Sequence, residues 1–317
     1  MYNYCTLFDS KYLSRGLAMY ESLKNHSNNF HLYIFAFDRI SHNLLKKLNL
    51  ELVTIISLNE FEDEELLKVK KDRTQVEYFW TCTPSIVKYC IENFNLENCT
   101  YLDADIYFFS DPTILIEEMG SKSILITEHR YTSKYDQSLT RGVYNVQFVT
   151  FKNDIKGMKA LNFWRNSCIS WCYNRIENNK FGDQKYLDDW TVRFEGVHVL
   201  KNLGGGVAPW NIQQYKLEEK FFELIFYHFH DLKFLFKDQV DLGGYELRKE
   251  DIKILYKPYL NHLKTIEKNI LFSNDRNDFH HMTTIKKFNL KDLKKKILRR
   301  FFYKPYNIYN ISYILGL

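Results

Sequence analysis

The chain has 317 residues, 45% of them hydrophobic and 17% aromatic, with only five prolines and twelve glycines. That is enough for one large α/β domain or two small ones, and it excludes fibrous and low-complexity classes. The net charge of +5 is concentrated in Lys286–Lys304, where nine Lys/Arg face one Asp; the remaining 35 basic and 38 acidic residues leave the body slightly acidic, so nucleic acid is not an expected partner.

No run reaches 18 apolar residues, and Met1–Cys5 has neither a basic region nor a long apolar one. Neither a membrane span nor a signal peptide is expected, and the cytoplasm is the expected location. The six cysteines (Cys5, Cys82, Cys90, Cys99, Cys168, Cys172) form no Cys-x-x-Cys pair. Most have apolar neighbours and read as reduced core residues.

In chain order, Tyr2–Phe8 reads as a buried strand, followed by a polar loop through Tyr12 and a helix marked by Leu13, Leu17, Tyr20 and Leu23. Strand, loop and helix open a nucleotide-binding α/β half, here without a Gly-x-Gly-x-x-Gly fingerprint. Asp9 in that loop either contacts a ribose or base, or caps the helix. His31–Phe37 and Glu51–Ser57 read as strands with a helical stretch at Leu44–Leu48 between them, an alternation that favours parallel pairing. Glu60–Lys71 reads as a charged surface helix. Tyr78–Phe94 reads as helical, with Thr83-Pro84 as a helix start, since proline suits the first turn.

Cys99–Pro112 organises the rest. An apolar run ends in Asp103-Ala104-Asp105, and a second, Ile106–Phe109, follows at once. A turn would carry Gly, Asn or Pro beside the acids; here Leu102 and Ile106 flank them. Burying an unpaired carboxylate costs several kcal/mol or forces it to take a proton. A hard divalent cation, Mg²⁺ or Mn²⁺, resolves this, and the carboxyl end of a strand is where open α/β sheets bind ligands.

Ile124–Thr127 and Gly142–Phe151 read as strands and Met158–Tyr173 as an amphipathic helix. Phe181–Trp190 opens another helix, with Gly182 in a turn and Asp183 as a cap. Leu203–Asn211, with Gly204-Gly205-Gly206, is either a simple turn or a place where backbone approaches a ligand. Leu224–Phe229 is an apolar strand carrying His228, with His230 two places on and so on the same face. Either is a satisfied core histidine or a metal ligand. Arg248–Leu271 reads as helical, Ser273–His281 as a linker, and Leu290, Leu293, Ile297 and Phe301 as the stripe of a basic amphipathic helix.

Four motifs, Tyr101-Leu102-Asp103-Ala104-Asp105, Gly142-Val143-Tyr144-Asn145-Val146, Asp183-Gln184-Lys185-Tyr186-Leu187 and the His228 strand, resemble those of GT-A glycosyltransferases. The likeness is to bacterial enzymes related to the family-eight, galactosyltransferase-like group, over roughly residues 2–235. The resemblance implies a GT-A α/β fold over residues 1–245, with a mostly parallel central sheet and a helical C-terminal extension over 246–317. It implies Mn²⁺ or Mg²⁺ on Asp103, Asp105 and His228, and a nucleotide-sugar donor, a UDP-sugar, lined by Thr6, Phe8, Asp9, Tyr12 and Ala104. It places Asp183 and Gln184 at the reacting sugar, and Tyr144, Asn145 and Trp210 at the sugar or acceptor. A saccharide or lipid-linked acceptor in lipopolysaccharide or capsule synthesis follows. The sequence departs from the pattern at Gln147, which replaces a glycine, at Asp231 and Lys233-Phe234-Leu235 after the late His, and at Trp80–Thr83, where a basic residue is usual.

Two enzymatic rivals fit less well. A haloacid dehalogenase-like phosphatase would carry Thr or Val at Tyr107, and a nucleotidyltransferase would show a Gly-rich phosphate loop near its start. A membrane-binding module run by the basic tail leaves Asp103 and Asp105 unexplained. The tail itself either meets an anionic membrane surface or packs on the acidic body.

Overall fold

Period-two burial sets the layers. In β1 (Tyr2–Phe8), Tyr4 and Phe8 face one apolar cluster while Cys5 and Leu7 face another. In β2 (Phe30–Ala36), Leu32 and Ile34 join the first cluster and Tyr33 and Phe35 the second. Both faces are therefore covered, as the parallel pairing of these strands requires. The structure, a computed structural model, describes residues 1–219, 222–235, 238–271 and 307–317. The linker expected at Ser273–His281 and the basic helix expected at Leu290–Phe302 lie outside the described residues.

The helix α1 (Leu13–His26) follows β1, α2 (Arg39–Leu48) follows β2, and β3 (Val53–Ser57) pairs parallel to β2. The expected surface helix at Glu60–Lys71 is two pieces, α3 (Leu58–Phe61) and α4 (Glu64–Lys70). Asp63 divides them because its carboxylate caps the Leu66 N–H. The helix α5 runs Gln75–Asn93, so Thr83-Pro84 is interior rather than a start. The true start is a capping box in which the Thr74 hydroxyl and the Glu77 carboxylate each serve the other's backbone.

The main sheet is completed by β4 (Asn98–Leu102), β6 (Ile124–Glu128), β7 (Tyr144–Lys152) and β8 (Val197–Val199), in the order β3-β2-β1-β4-β7-β6-β8. It is mostly parallel, with β7 antiparallel to both its neighbours. The register between β6 and β7 shifts between Leu125 and Thr127, a bulge-like irregularity that re-aims side chains locally. Opposite α5 and α8 (Ile155–Ser170), a small antiparallel ribbon of β5 (Ile106–Phe108) and β9 (Phe226–His228) sits over the first cluster. Beyond residue 245, the helix Lys257–Leu271 buries Tyr259, Leu260, Leu263 and Ile266 in that same cluster, and Ile308–Asn310 pairs with Gln239–Asp241. All six cysteines are buried and free. No described helix is long and apolar enough to cross a membrane.

Candidate active site

The chain leaves β4 through Asp103-Ala104-Asp105 and re-enters extended structure as β5, so both carboxylates sit at the carboxyl end of the first four parallel strands. The antiparallel register pairs Ile106 with His228 across the ribbon. His228 Nε2 then lies 3.0 Å from Asp105 Oδ1 and 3.7 Å from Asp103 Oδ2. Ligand atoms of the three residues all fall within 4.8 Å of one another. His230 is not part of this group; it is exposed and lines an adjoining cavity.

The electrostatics show two carboxylates gathered against one imidazole, whose charge offsets only part of theirs. Burial and the Asp105 carboxylate push Asp103 up to about 6, although the His228 charge opposes this. Asp103 keeps 29% of its side chain exposed, so solvent softens the effect. Burial works against Asp105 ionising as well, but the charge and hydrogen bond of His228 hold it down at about 2. His228 loses from burial and gains more from Asp105, so its imidazolium is favoured. Two carboxylate oxygens and an imidazole nitrogen converging with room for water or phosphate are a donor set for Mn²⁺ or Mg²⁺.

Two residues around this group escape sequence reasoning. The Tyr101 hydroxyl donates to Asp103 Oδ1 at 2.9 Å. Gln147 Oε1 lies 2.7 Å from His228 Nδ1, and Gln147 is fully buried. The register shift in β7 brings it there: Asn145 Oδ1 accepts the Gln147 N–H at 2.6 Å, and the Gln147 carbonyl accepts the Asp103 N–H. Read alone, a glutamine in an apolar strand is only a departure from a family pattern.

The two carboxylates face two adjoining cavities. One, of about 260 Å³, is lined by Phe8, Asp9, Tyr12, Gln75 and Phe79 as well as Ala104. Asp9 proves to be a cap: its Oδ1 accepts the N–H groups of Lys11 and Tyr12, while Oδ2 accepts from Gln75 Nε2 at 2.9 Å. It remains on the cavity wall. Thr6 is fully buried in mid-strand and does not line either cavity, because only the last residues of β1 reach the sheet's carboxyl edge.

The second cavity, of about 530 Å³, is lined by Asn145, Asp183, Gln184, Trp210 and His228. Tyr144 is not on it; alternation along β7 turns the ring into the cluster on the sheet's other face. Asp183 does not cap the short helix Gln184–Asp189. Burial, then the Asp103 charge, push its carboxyl up to about 8. Gln184 Nε2 donates to the Arg141 carbonyl at 2.6 Å, which leaves its Oε1 for a ligand. Trp210 presents its edge: Nε1 donates to the His129 carbonyl and the ring meets His228 edge-on at 5.5 Å. The triple glycine serves packing instead of a ligand, since a Cβ on Gly204 would lie 1.9 Å from the Glu223 carbonyl.

No family model matches the chain. It is 34% identical to the uncharacterized protein YfnD of Bacillus subtilis (strain 168) over 280 residues, 83% of this chain and 89% of the relative. It is 28% identical to the uncharacterized protein YfnF of the same organism, over 83% and 94%. Among solved structures it is similar to the galactosyltransferase LgtC in complex with donor and acceptor sugar analogues (TM-score 0.53, 10% identity, 83% of this chain and 95% of that one). It is also similar to the apo form of the glycosyltransferase GlyE of Streptococcus pneumoniae TIGR4 (TM-score 0.52, 12% identity, 86% and 63%). At these identities the likeness establishes the fold. The chain belongs to the family of Bacillus subtilis YfnD, on a GT-A glycosyltransferase fold.

Proposed function

We propose that the protein is a metal-dependent glycosyltransferase that moves a sugar from a nucleoside-diphosphate donor, a UDP-sugar, to a saccharide or lipid-linked acceptor. The observation that carries this reading is the convergence of Asp103, Asp105 and His228 where two cavities meet at the carboxyl edge of the sheet. Similar folds belong to proteins named as glycosyltransferases, one of them with donor and acceptor sugar analogues bound.

Asp103, Asp105 and His228 would hold Mn²⁺ or Mg²⁺, which when bound stabilises the negative charge that grows on the leaving diphosphate. The smaller cavity, with the Phe8 and Tyr12 rings, suits a nucleoside. The larger suits the transferred sugar and acceptor. Asn145 spends its Oδ1 on Gln147, so its Nδ2 is the group left to donate to a sugar hydroxyl. Gln184 is pinned by its Nε2 and accepts through Oε1. Together they fix hydroxyls in place, which is much of what a transferase must supply.

The test is a screen of nucleotide sugars for Mn²⁺-dependent hydrolysis, with phosphomonoesters as the contrasting substrates. Release of a nucleoside diphosphate from one donor, lost in Asp105→Asn, supports the reading. Phosphate release from phosphomonoesters alone would sink it. For the setting, a lipid-linked acceptor at the cytoplasmic face of the cell membrane in lipopolysaccharide or capsule synthesis, support comes from the basic segment Lys286–Lys304. The full chain should sediment with anionic liposomes and a chain ending at Asn289 should not; equal sedimentation removes the membrane from the account.

A further inference from the structure

Arg141 ends the short helix α7 (Ser138–Arg141) on the wall of the larger cavity. Its guanidinium carbon lies 4.0 Å from the centre of the Phe181 ring. Among the described residues that guanidinium has no carboxylate partner. Two nearby acids are engaged elsewhere, Asp188 by Lys185 at 2.9 Å and Asp231 by Lys233. Arg141 lines the cavity alongside Tyr131 and Tyr245.

The backbone under Arg141 is fixed. Its carbonyl takes the Gln184 Nε2–H bond at 2.6 Å, and Asp188 Oδ1 accepts the Val143 N–H at 2.7 Å. Gly142, at φ +107°, closes the turn against Asp188, where a Cβ would lie 3.0 Å from Oδ1. A half-buried cation over an aromatic face, on a locked turn and with no described carboxylate within ion-pair distance, is arranged for an anion from elsewhere. A guanidinium offers a planar pair of donors that matches a carboxylate or a phosphate ester.

We propose that Arg141 receives an anionic group, a carboxylate or phosphate ester, carried by one of the two sugar substrates. This inference rests on the glycosyltransferase reading and narrows it to an acidic acceptor or an acidic transferred sugar. Arg141 shares its wall with Asp183 and Gln184 and is absent from the nucleoside cavity, which separates its role from that of the donor's base and ribose.

The experiment uses the full chain with Mn²⁺ and has two arms. In the acceptor arm, protein saturated with UDP is titrated with methyl hexuronides, hexose 6-phosphates and the matching neutral methyl hexosides of the gluco, galacto and manno series. In the donor arm, UDP-glucuronic and UDP-galacturonic acids are compared with UDP-glucose and UDP-galactose. Tighter binding of the acidic probes is expected in one arm, which identifies the source of the anion. In that arm Arg141→Met should weaken the acidic probe about ten- to a hundredfold, as loss of a charge-assisted pair does, and leave the neutral probe unchanged. Arg141→Lys should keep part of the preference. Met still covers Phe181, and unchanged UDP–Mn²⁺ affinity certifies the fold. No acidic preference in either arm, or equal losses for acidic and neutral probes, overturns the inference while the transferase reading stands. Failure of the wild-type chain to bind UDP with Mn²⁺ overturns both.

Discussion

His228 is held at both ends of its ring, with Gln147 Oε1 2.7 Å from Nδ1 and Asp105 Oδ1 3.0 Å from Nε2. With Nδ1–H committed to the amide, Nε2 is the nitrogen that can give up its proton and offer its lone pair to a cation shared with the carboxylates. Gln147→Leu keeps approximate volume and removes the acceptor. Mn²⁺ affinity, followed by the electron paramagnetic resonance of the free ion, should fall about ten- to a hundredfold. Gln147→Glu should restore much of it. Unchanged affinity in Gln147→Leu would show that packing alone orients the ring.

Asp105 and His228 should matter together. Asp105→Asn removes the hard ligand and also the charge that favours the imidazolium. In the metal-free protein the His228 pKa, read by NMR, should therefore drop in Asp105→Asn, and Mn²⁺-dependent UDP binding should be lost. His228→Ala should weaken calorimetric Mn²⁺ binding more than His230→Ala; the reverse order would reassign the ligand.

Asp183 sets a pH dependence whose sign is definite. Its folded pKa of about 8 lies above the ordinary 3.8, so between those values the folded chain holds a proton that the unfolded chain has released. Stability of the metal-free protein should then fall as pH rises through that window and level off above it. Asp103, at about 6, adds to the lower part. Asp183→Asn should flatten the slope of Tm against pH between about pH 5 and 8. Parallel curves for the two proteins would mean that Asp183 is already ionised.

Phe8, on the smaller cavity, rests directly on α1. A Cβ on Gly16 would lie 2.3 Å from the Phe8 ring. Gly16→Ala should displace that ring, at about 1–3 kcal/mol of stability, and should weaken UDP binding with Mn²⁺ affinity in the absence of nucleotide unchanged. Wild-type UDP affinity in a destabilised Gly16→Ala would place the nucleoside elsewhere.

Much of the candidate site was legible because Asp103 and Asp105 stand between apolar runs, where a carboxylate pair needs compensating positive charge. His228 was half-legible, since His-x-His on an apolar strand left two candidates that only the ribbon register separates. Arg141 and Gln147 were not legible. Their placement comes from a turn locked by residues more than forty positions further along the chain and from a register shift against the neighbouring strand β6. At Thr83-Pro84 the proline signal is overridden, because α5 runs through it and starts instead at the Thr74-x-x-Glu77 box.

The pairing of Ile106 with His228 ties the site to the assembly of the chain. A slip of one residue between β5 and β9 would turn His228 to the opposite face, and a slip of two would carry it about 7 Å along the strand. Either error leaves the seven-stranded sheet intact and the carboxylate pair without its imidazole. On the metal-dependent reading, metal affinity reads out whether a strand made more than a hundred residues later has docked in step. During refolding, Mn²⁺ uptake should lag the burial of the sheet and appear only as that last ribbon closes.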